Sequence, residues 1–144
     1  MGIIIVSALL TLLAAVAAAL CFRIGFRQWH GEGKPLSTWM TGTVFMDFEA
    51  LAGLDRAIFV FGSMWAFAAF FCAGFIVLAA QGGQGIAGLT LDGVGVAGFI
   101  LSGAVYFGIV NFNRPRLLVP PHLRSQPGAI AGRRQRRRKN RRPL

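Results

Sequence analysis

Three long stretches of the chain are almost free of charge, and the charged residues lie between and after them. Residues 2–20, 57–80 and 86–110 are apolar or small, and Asp92 is their only charge. Residues 57–80 would span roughly 36 Å as an α-helix, whereas a bilayer's hydrocarbon core is about 30 Å thick. A helix that is apolar on every side is typical of a membrane span. The pattern therefore predicts an all-α integral membrane protein with three transmembrane helices.

These stretches divide the chain into six predicted segments. They are transmembrane helices over residues 1–22, 57–80 and 93–112, a loop over 23–56, a turn over 81–92 and a tail over 113–144. The first stretch has no basic residue before it, and Arg23 and Arg27 follow it. This arrangement favours an uncleaved anchor over a cleaved signal peptide.

The start of the third transmembrane helix decides the role of Asp92. A start at Gly93 leaves Asp92 at the membrane surface, which is the favoured interpretation. A start at Ile86 would place this carboxylate inside the membrane, where an acidic residue is a candidate proton or cation site. Both alternatives stay open from the sequence.

The loop between the first two stretches has a weaker helical pattern. Between Leu36 and Leu54, apolar side chains recur at steps of three and four residues. The spacing predicts a short amphipathic helix on the membrane surface, and the alternative is a loop packed against the ends of the spans. Asp47 and Glu49 are two residues apart and would diverge on a helix, so they do not predict a paired-carboxylate acid–base site.

Small residues recur along one side of the second transmembrane helix and along two faces of the third. They let helix backbones approach closely in a bilayer, where apolar side chains gain little from meeting each other. The opposite, phenylalanine-rich face of the second helix is predicted to meet lipid or another subunit. The third helix is predicted to lie between the first and second, or to bridge to a partner subunit. The predicted helix-packing residues are Gly62, Ala66, Ala69, Ala73, Gly95, Gly98 and Ser102.

Composition and charge add an orientation. The 144 residues are 55% hydrophobic with a mean hydropathy of +0.60, yet the net charge is +10. In a soluble domain, about a quarter of all residues are charged, whereas in this chain 14% are. Every Lys and Arg falls within residues 22–56 or 111–144. Three crossings put both segments on one side, and the positive-inside rule predicts a cell-membrane protein with its N-terminus outside and its C-terminus in the cytoplasm.

The end of the chain is strongly basic. It is predicted to be disordered and to bind anionic lipid headgroups, at about 1 kcal/mol for each basic residue. An acidic protein partner and non-specific nucleic-acid binding are the alternatives, and no aromatic side chain lies in the run to stack on bases. Leu117, Leu118 and Val119 are predicted to return to the membrane interface. The predicted anion-binding residues are Arg133, Arg134, Arg136, Arg137, Arg138, Lys139, Arg141 and Arg142.

The sequence contains no catalytic pattern. Cys21 and Cys72 lie at or within apolar stretches and form no CxxC pair, and His122 has no histidine nearby with which to bind a metal. We therefore predict no enzyme activity, no metal and no cofactor. The leading hypothesis is an accessory or scaffolding subunit that binds the bilayer and either other membrane subunits or a second copy of itself. The layout is similar to that of one class of phage holins, which implies membrane permeabilisation as the alternative.

Overall fold

The structure is a computed structural model that describes residues 2–32 and 48–140. All regular secondary structure in these residues is helical, with no β-strand, which confirms the predicted all-α class. The elements are α1 (Gly2–Trp29), α2 (Phe48–Ala80), α3 (Ile86–Phe112), two 3-10 turns (Arg116–Leu118 and Pro121–Leu123) and α4 (Ala129–Asn140).

Three of these helices are long and apolar enough to cross a membrane. The candidate spans are Gly2–Trp29, Ala52–Ala80 and Ile86–Phe112. Only 6% to 17% of the residues in their most apolar windows are buried, and α1 exposes Ile3 and Leu13 by 77% and 65%. A protein in water would bury such side chains against one another. The exposed apolar surface is compatible with a lipid environment.

The helices extend beyond the predicted spans. α1 continues to Trp29, α2 begins at Phe48 and α3 begins at Ile86. A charged residue can mark where an apolar run ends, but it does not interrupt the backbone hydrogen bonds of a helix. α2 ends where Gly82 and Gly83 adopt positive φ angles of 68° and 87°, a conformation that glycine tolerates and most residues do not.

Two predictions concern the parts of the chain outside the apolar helices. The predicted interfacial helix falls largely on residues 33–47, which lie outside the described residues, and residues 48–55 are continuous with α2. The tail was predicted to be disordered, but Ala129–Asn140 form the helix α4. The tail is rich in good helix formers, namely Ala, Arg, Gln and Lys. Their helix propensity favours α4, although repulsion between the like charges opposes it.

The described residues form two compact units. Among these residues, unit 1 comprises 2–22 and 60–103, and unit 2 comprises 23–32, 48–59 and 104–140. The five largest fully buried side chains all belong to unit 2, and one of them is polar. They are Ile58, Ile109, Gln28, Val119 and Pro120.

Candidate functional site

An apolar groove lies between α1 and α2 in unit 1. Its volume is about 470 Å³. The hydroxyl of Thr11 lines it but donates to the carbonyl oxygen of Ser7 at 2.8 Å, so the groove offers no unsatisfied hydroxyl donor. We call the following residues the alanine groove: Ala15, Ala18 and Ala19 of α1 with Ala66, Ala69 and Ala73 of α2.

Three of the predicted packing residues therefore face α1 across this groove, and a fourth lies in direct contact with α1. A Cβ atom on Gly62 would lie 3.0 Å from the Cβ of Cys21 and 3.4 Å from the ring of Phe22. Gly62 is buried, whereas Ala15 and Ala19 remain exposed along the groove. The two helices thus touch at the glycine and leave room beside the alanines.

Two further predicted packing residues, Gly95 and Gly98, lie where α2 meets α3. A Cβ on Gly95 would lie 2.6 Å from the backbone nitrogen of Phe71, and a Cβ on Gly98 would collide with the ring of Phe67. Ser102 is also buried, at 8% exposure. The phenylalanine-rich face of α2 was predicted to meet lipid or another subunit; Phe67 and Phe71 instead pack on the glycines of α3.

This packing also changes the predicted order of the helices. The third helix was expected to lie between the other two or to bridge to a partner. In unit 1, α2 touches α1 through Gly62 and touches α3 through Phe67 and Phe71. The second helix therefore has contacts on two sides, because its small residues and its aromatic residues meet different neighbours.

Asp92 lies within α3, six residues after its first residue. Its Oδ1 atom is buried and has no hydrogen-bond partner among the described residues. It lies so close to Gly74 that a Cβ there would collide with it. Asp92 therefore lies inside α3 and packs on the glycine backbone of α2. The start of the membrane span, at Gly93 or at Ile86, stays a prediction.

Unit 2 contains a polar cluster that sequence reasoning did not predict. Arg56 is only 2% exposed. Its Nη1 donates to the carbonyl oxygen of Pro127, and its Nη2 donates to the carbonyl oxygen of Val110 at 3.4 Å. Val110 lies in the last turn of α3, where carbonyl groups lack partners within the helix. A cation at a helix C-terminus also complements the helix dipole.

Asn113 continues this cluster immediately after α3. It is 5% exposed and adopts a φ of 55°, which asparagine tolerates better than most residues. Its Nδ2 donates to the carbonyl oxygens of Arg124 and Gln126 at 3.1 and 2.7 Å. We call Arg56, Asn113 and the four carbonyl groups that they bind the Arg56–Asn113 cluster. It fixes the segment after α3 to the ends of α2 and α3.

A second buried polar contact in unit 2 joins α1 to α2. Gln28 Nε2 donates to Asp55 Oδ1 at 3.1 Å, and these residues are 1% and 2% exposed. Burying a polar side chain is unfavourable unless it is hydrogen-bonded. The contact therefore specifies how the C-terminal end of α1 meets the beginning of α2.

Aromatic side chains in the same unit also join α1 to α2. Phe59 packs edge-on against Phe26 and Trp29, with ring centroids 5.2 and 5.5 Å away. The guanidinium of Arg124 lies 5.6 Å from the centre of the Trp29 ring, within the range of a cation–π contact. The segment after α3 is thus also held against α1.

The basic residues lie on and beyond α4, which begins directly after this fixed segment. A Cβ on Gly128 would collide with the carbonyl oxygen of Asn111, so the start of α4 lies against the end of α3. Arg133, Arg134 and Arg138 are exposed. Arg136, Arg137 and Lys139 belong to the same helix, while Arg141 and Arg142 lie outside the described residues.

Among the described residues, no group of three or more His, Cys, Asp or Glu side chains is placed to hold a metal ion. In comparisons with protein-family models, with curated proteins and with solved structures, nothing matches this chain.

Proposed function

We propose that the protein is a non-catalytic, multi-pass membrane protein of the cell membrane that acts as an accessory or scaffolding subunit. The observation that carries this proposal is the alanine groove. Two apolar helices present small residues to a common space of about 470 Å³, and small residues are what membrane helices use for close association. A transmembrane helix of another subunit, or of a second copy, would bury this surface.

The experiment is a purification of the tagged protein in mild detergent, with the co-purified proteins identified by mass spectrometry. Ala69→Leu fills the groove and should strongly reduce the co-purified partner. Ala97→Leu is the matched control, because Ala97 is exposed on α3, and it should leave the partner unchanged. Equal recovery from both variants would contradict the proposal. Rapid depolarisation of cells on induction, followed with a membrane-potential dye, would favour the permeabilising alternative.

The same proposal includes a role for the basic helix. α4 starts against the end of α3, the last candidate span, so a membrane-embedded α3 would hold exposed arginines close to lipid headgroups. Each Lys or Arg near an anionic surface contributes about 1 kcal/mol before screening by salt. The predicted orientation, with the N-terminus outside and the C-terminus in the cytoplasm, would bring this helix to the anionic cytoplasmic leaflet.

Protease accessibility of the full protein in lipid nanodiscs tests the role of this helix. Trypsin should cut after Arg133 and Arg134 more slowly in nanodiscs with anionic lipid than in purely zwitterionic ones, and added salt should remove the difference. Cleavage at the same rate in both would contradict lipid binding. Protection by added RNA in zwitterionic nanodiscs, without protection by anionic lipid, would favour nucleic acid as the partner.

A further inference from the structure

The short segment after α3 presents apolar side chains outward on an ordered turn. Leu117 and Leu118, in the 3-10 turn Arg116–Leu118, are 79% and 41% exposed. Phe112, the last residue of α3, is 57% exposed. Exposed apolar side chains that lie together on a surface mark a protein or membrane contact more often than isolated ones do. Here they project from the part of the chain that directly continues a candidate membrane span.

The turn is held in place from its inner side. Val119 follows it and is completely buried, and its carbonyl oxygen accepts a hydrogen bond from Arg124 Nε at 3.0 Å. Asn113 precedes it and binds the carbonyl oxygens of Arg124 and Gln126. Both ends of the turn are thus anchored in unit 2. The exposure of the two leucines is a feature of this anchored conformation.

Positive charge alternates with these apolar residues. Arg114 and Arg116 are exposed within the same turn region. An interfacial membrane contact typically combines two kinds of side chain. Apolar side chains enter the boundary between acyl chains and headgroups, and neighbouring basic side chains reach the phosphates. The continuity with α3 points to the same lipid surface, since Phe112 ends the candidate span.

We propose that Phe112–Leu118 forms a membrane-inserting turn. Leu117 and Leu118 enter the lipid interface on the side where α3 leaves the membrane, and Arg114 and Arg116 bind the headgroup phosphates. Val119, which was predicted to return to the interface together with the two leucines, packs inside unit 2 instead. This inference rests on the proposed membrane location of α3 and adds a second attachment beside the basic helix.

The test is depth-dependent fluorescence quenching of the full protein reconstituted in vesicles containing anionic phosphatidylglycerol. A single cysteine carries an environment-sensitive dye in a background with Cys21→Ala and Cys72→Ala. Leu117→Cys reports on the turn. Ser125→Cys, exposed in the same segment, is the polar control. Ile100→Cys, which is 65% exposed on α3, is the control for the span.

The expected result is a blue-shifted emission at position 117 that is quenched by lipids with a nitroxide near the headgroup. Position 125 should stay unquenched, and position 100 should be quenched by a nitroxide deep in the acyl chain. Quenching at 100 without quenching at 117 would overturn the inserting turn and leave the span intact. Absence of quenching at 100 would instead overturn the membrane location of α3 and the inference with it.

A second variant separates the roles of the charges. Replacing Arg114 and Arg116 by Gln in the Leu117→Cys protein should reduce quenching in anionic vesicles to the level seen in zwitterionic ones. If quenching at 117 is unchanged by this replacement and equal in the two lipids, Arg114 and Arg116 do not bind the headgroup phosphates.

Discussion

The two units differ in their internal contacts, although unit 2 also has glycines, Gly25 and Gly53, in close contact with neighbouring helices. In unit 1, α2 and α3 approach closely because side chains are missing: Gly95 and Gly98 accept Phe71 and Phe67. In unit 2, buried polar side chains make the specific contacts: Arg56 and Asn113 bind carbonyl groups, and Gln28 binds Asp55.

This difference follows from the proposed surroundings. In a bilayer, apolar side chains gain little from leaving lipid for each other, so helices associate through close backbone contact. Hydrogen bonds become necessary where helices end, because the last carbonyl groups of a helix have no partner within it. Arg56 supplies such a partner at the end of α3. We therefore expect variants of the buried polar residues in unit 2 to act through lost hydrogen-bond partners, and variants of Gly95 and Gly98 in unit 1 to act through steric collision.

The largest effect is expected from Arg56→Met. Hydrogen bonds to a charged group contribute about 1.5 to 3 kcal/mol each, and this variant removes the donors to the carbonyl groups of Pro127 and Val110. The free energy of unfolding in detergent should fall by about 3 kcal/mol, and trypsin should cut the segment after α3 sooner. Arg27→Met, at an exposed position of α1, is the control. Equal stability of the two variants would contradict the importance of the Arg56–Asn113 cluster.

Gly95→Leu should have the next largest effect. Even its first side-chain atom would lie 2.6 Å from the backbone of Phe71, so α2 and α3 must move apart, which typically costs about 2 kcal/mol. The measurement is thermal unfolding followed by circular dichroism. Gly93→Leu is a close control, because a Cβ on Gly93 meets nothing within 4 Å. A loss of stability as large for Gly93→Leu would show that helix propensity or lipid contact, and not packing, decides the result.

A smaller effect is expected from Asn113→Gly. Glycine accepts the φ of 55°, so this variant removes the two side-chain hydrogen bonds without adding backbone strain. We expect a loss of about 1 to 2 kcal/mol in the free energy of unfolding. Asn111→Ala is the control, since the Asn111 amide bonds only the carbonyl of Phe107 in its own helix and is less buried. If the two variants lose the same stability, Asn113 does not anchor the segment.

The smallest effect is expected from Trp29→Leu. It removes the cation–π contact with Arg124, which contributes about 0.5 to 1 kcal/mol at a partly exposed site. Hydrogen exchange measured by mass spectrometry should rise in peptides covering residues 119–126 and stay unchanged in α3 near residue 100. Unchanged exchange in both regions would show that the ring does not hold the segment.

The sequence predicted the three long helices, because length and apolar composition are local properties. It placed the starts of α2 and α3 too late, since Asp55, Arg56 and Asp92 look like membrane boundaries. The partners of Asp55 and Arg56 lie far along the chain: Gln28 is 27 residues from Asp55, and Arg56 binds carbonyl groups 54 and 71 residues away. Such long-range contacts cannot be predicted from the local pattern of charge.

The small residues show the same limit. Their spacing indicated that Gly62 and Gly95 would lie on packing faces, and both lie against neighbouring helices. The pattern did not reveal that Phe67 and Phe71 would fill the space left by glycines on α3, because an aromatic side chain suits lipid and protein alike. Asn113 lies two residues before Pro115, and Asn and Pro are both common in turns. This pair could have predicted the ordered turn after α3.

The most direct test of the proposed scaffolding function is site-specific photocrosslinking in living cells. A photoreactive amino acid is placed at position 69, in the alanine groove, or at position 100, where Ile100 is exposed on α3. We expect an adduct with one protein of defined mass from position 69 and none from position 100. Only lipid adducts from both positions, with no protein adduct at 69, would contradict it.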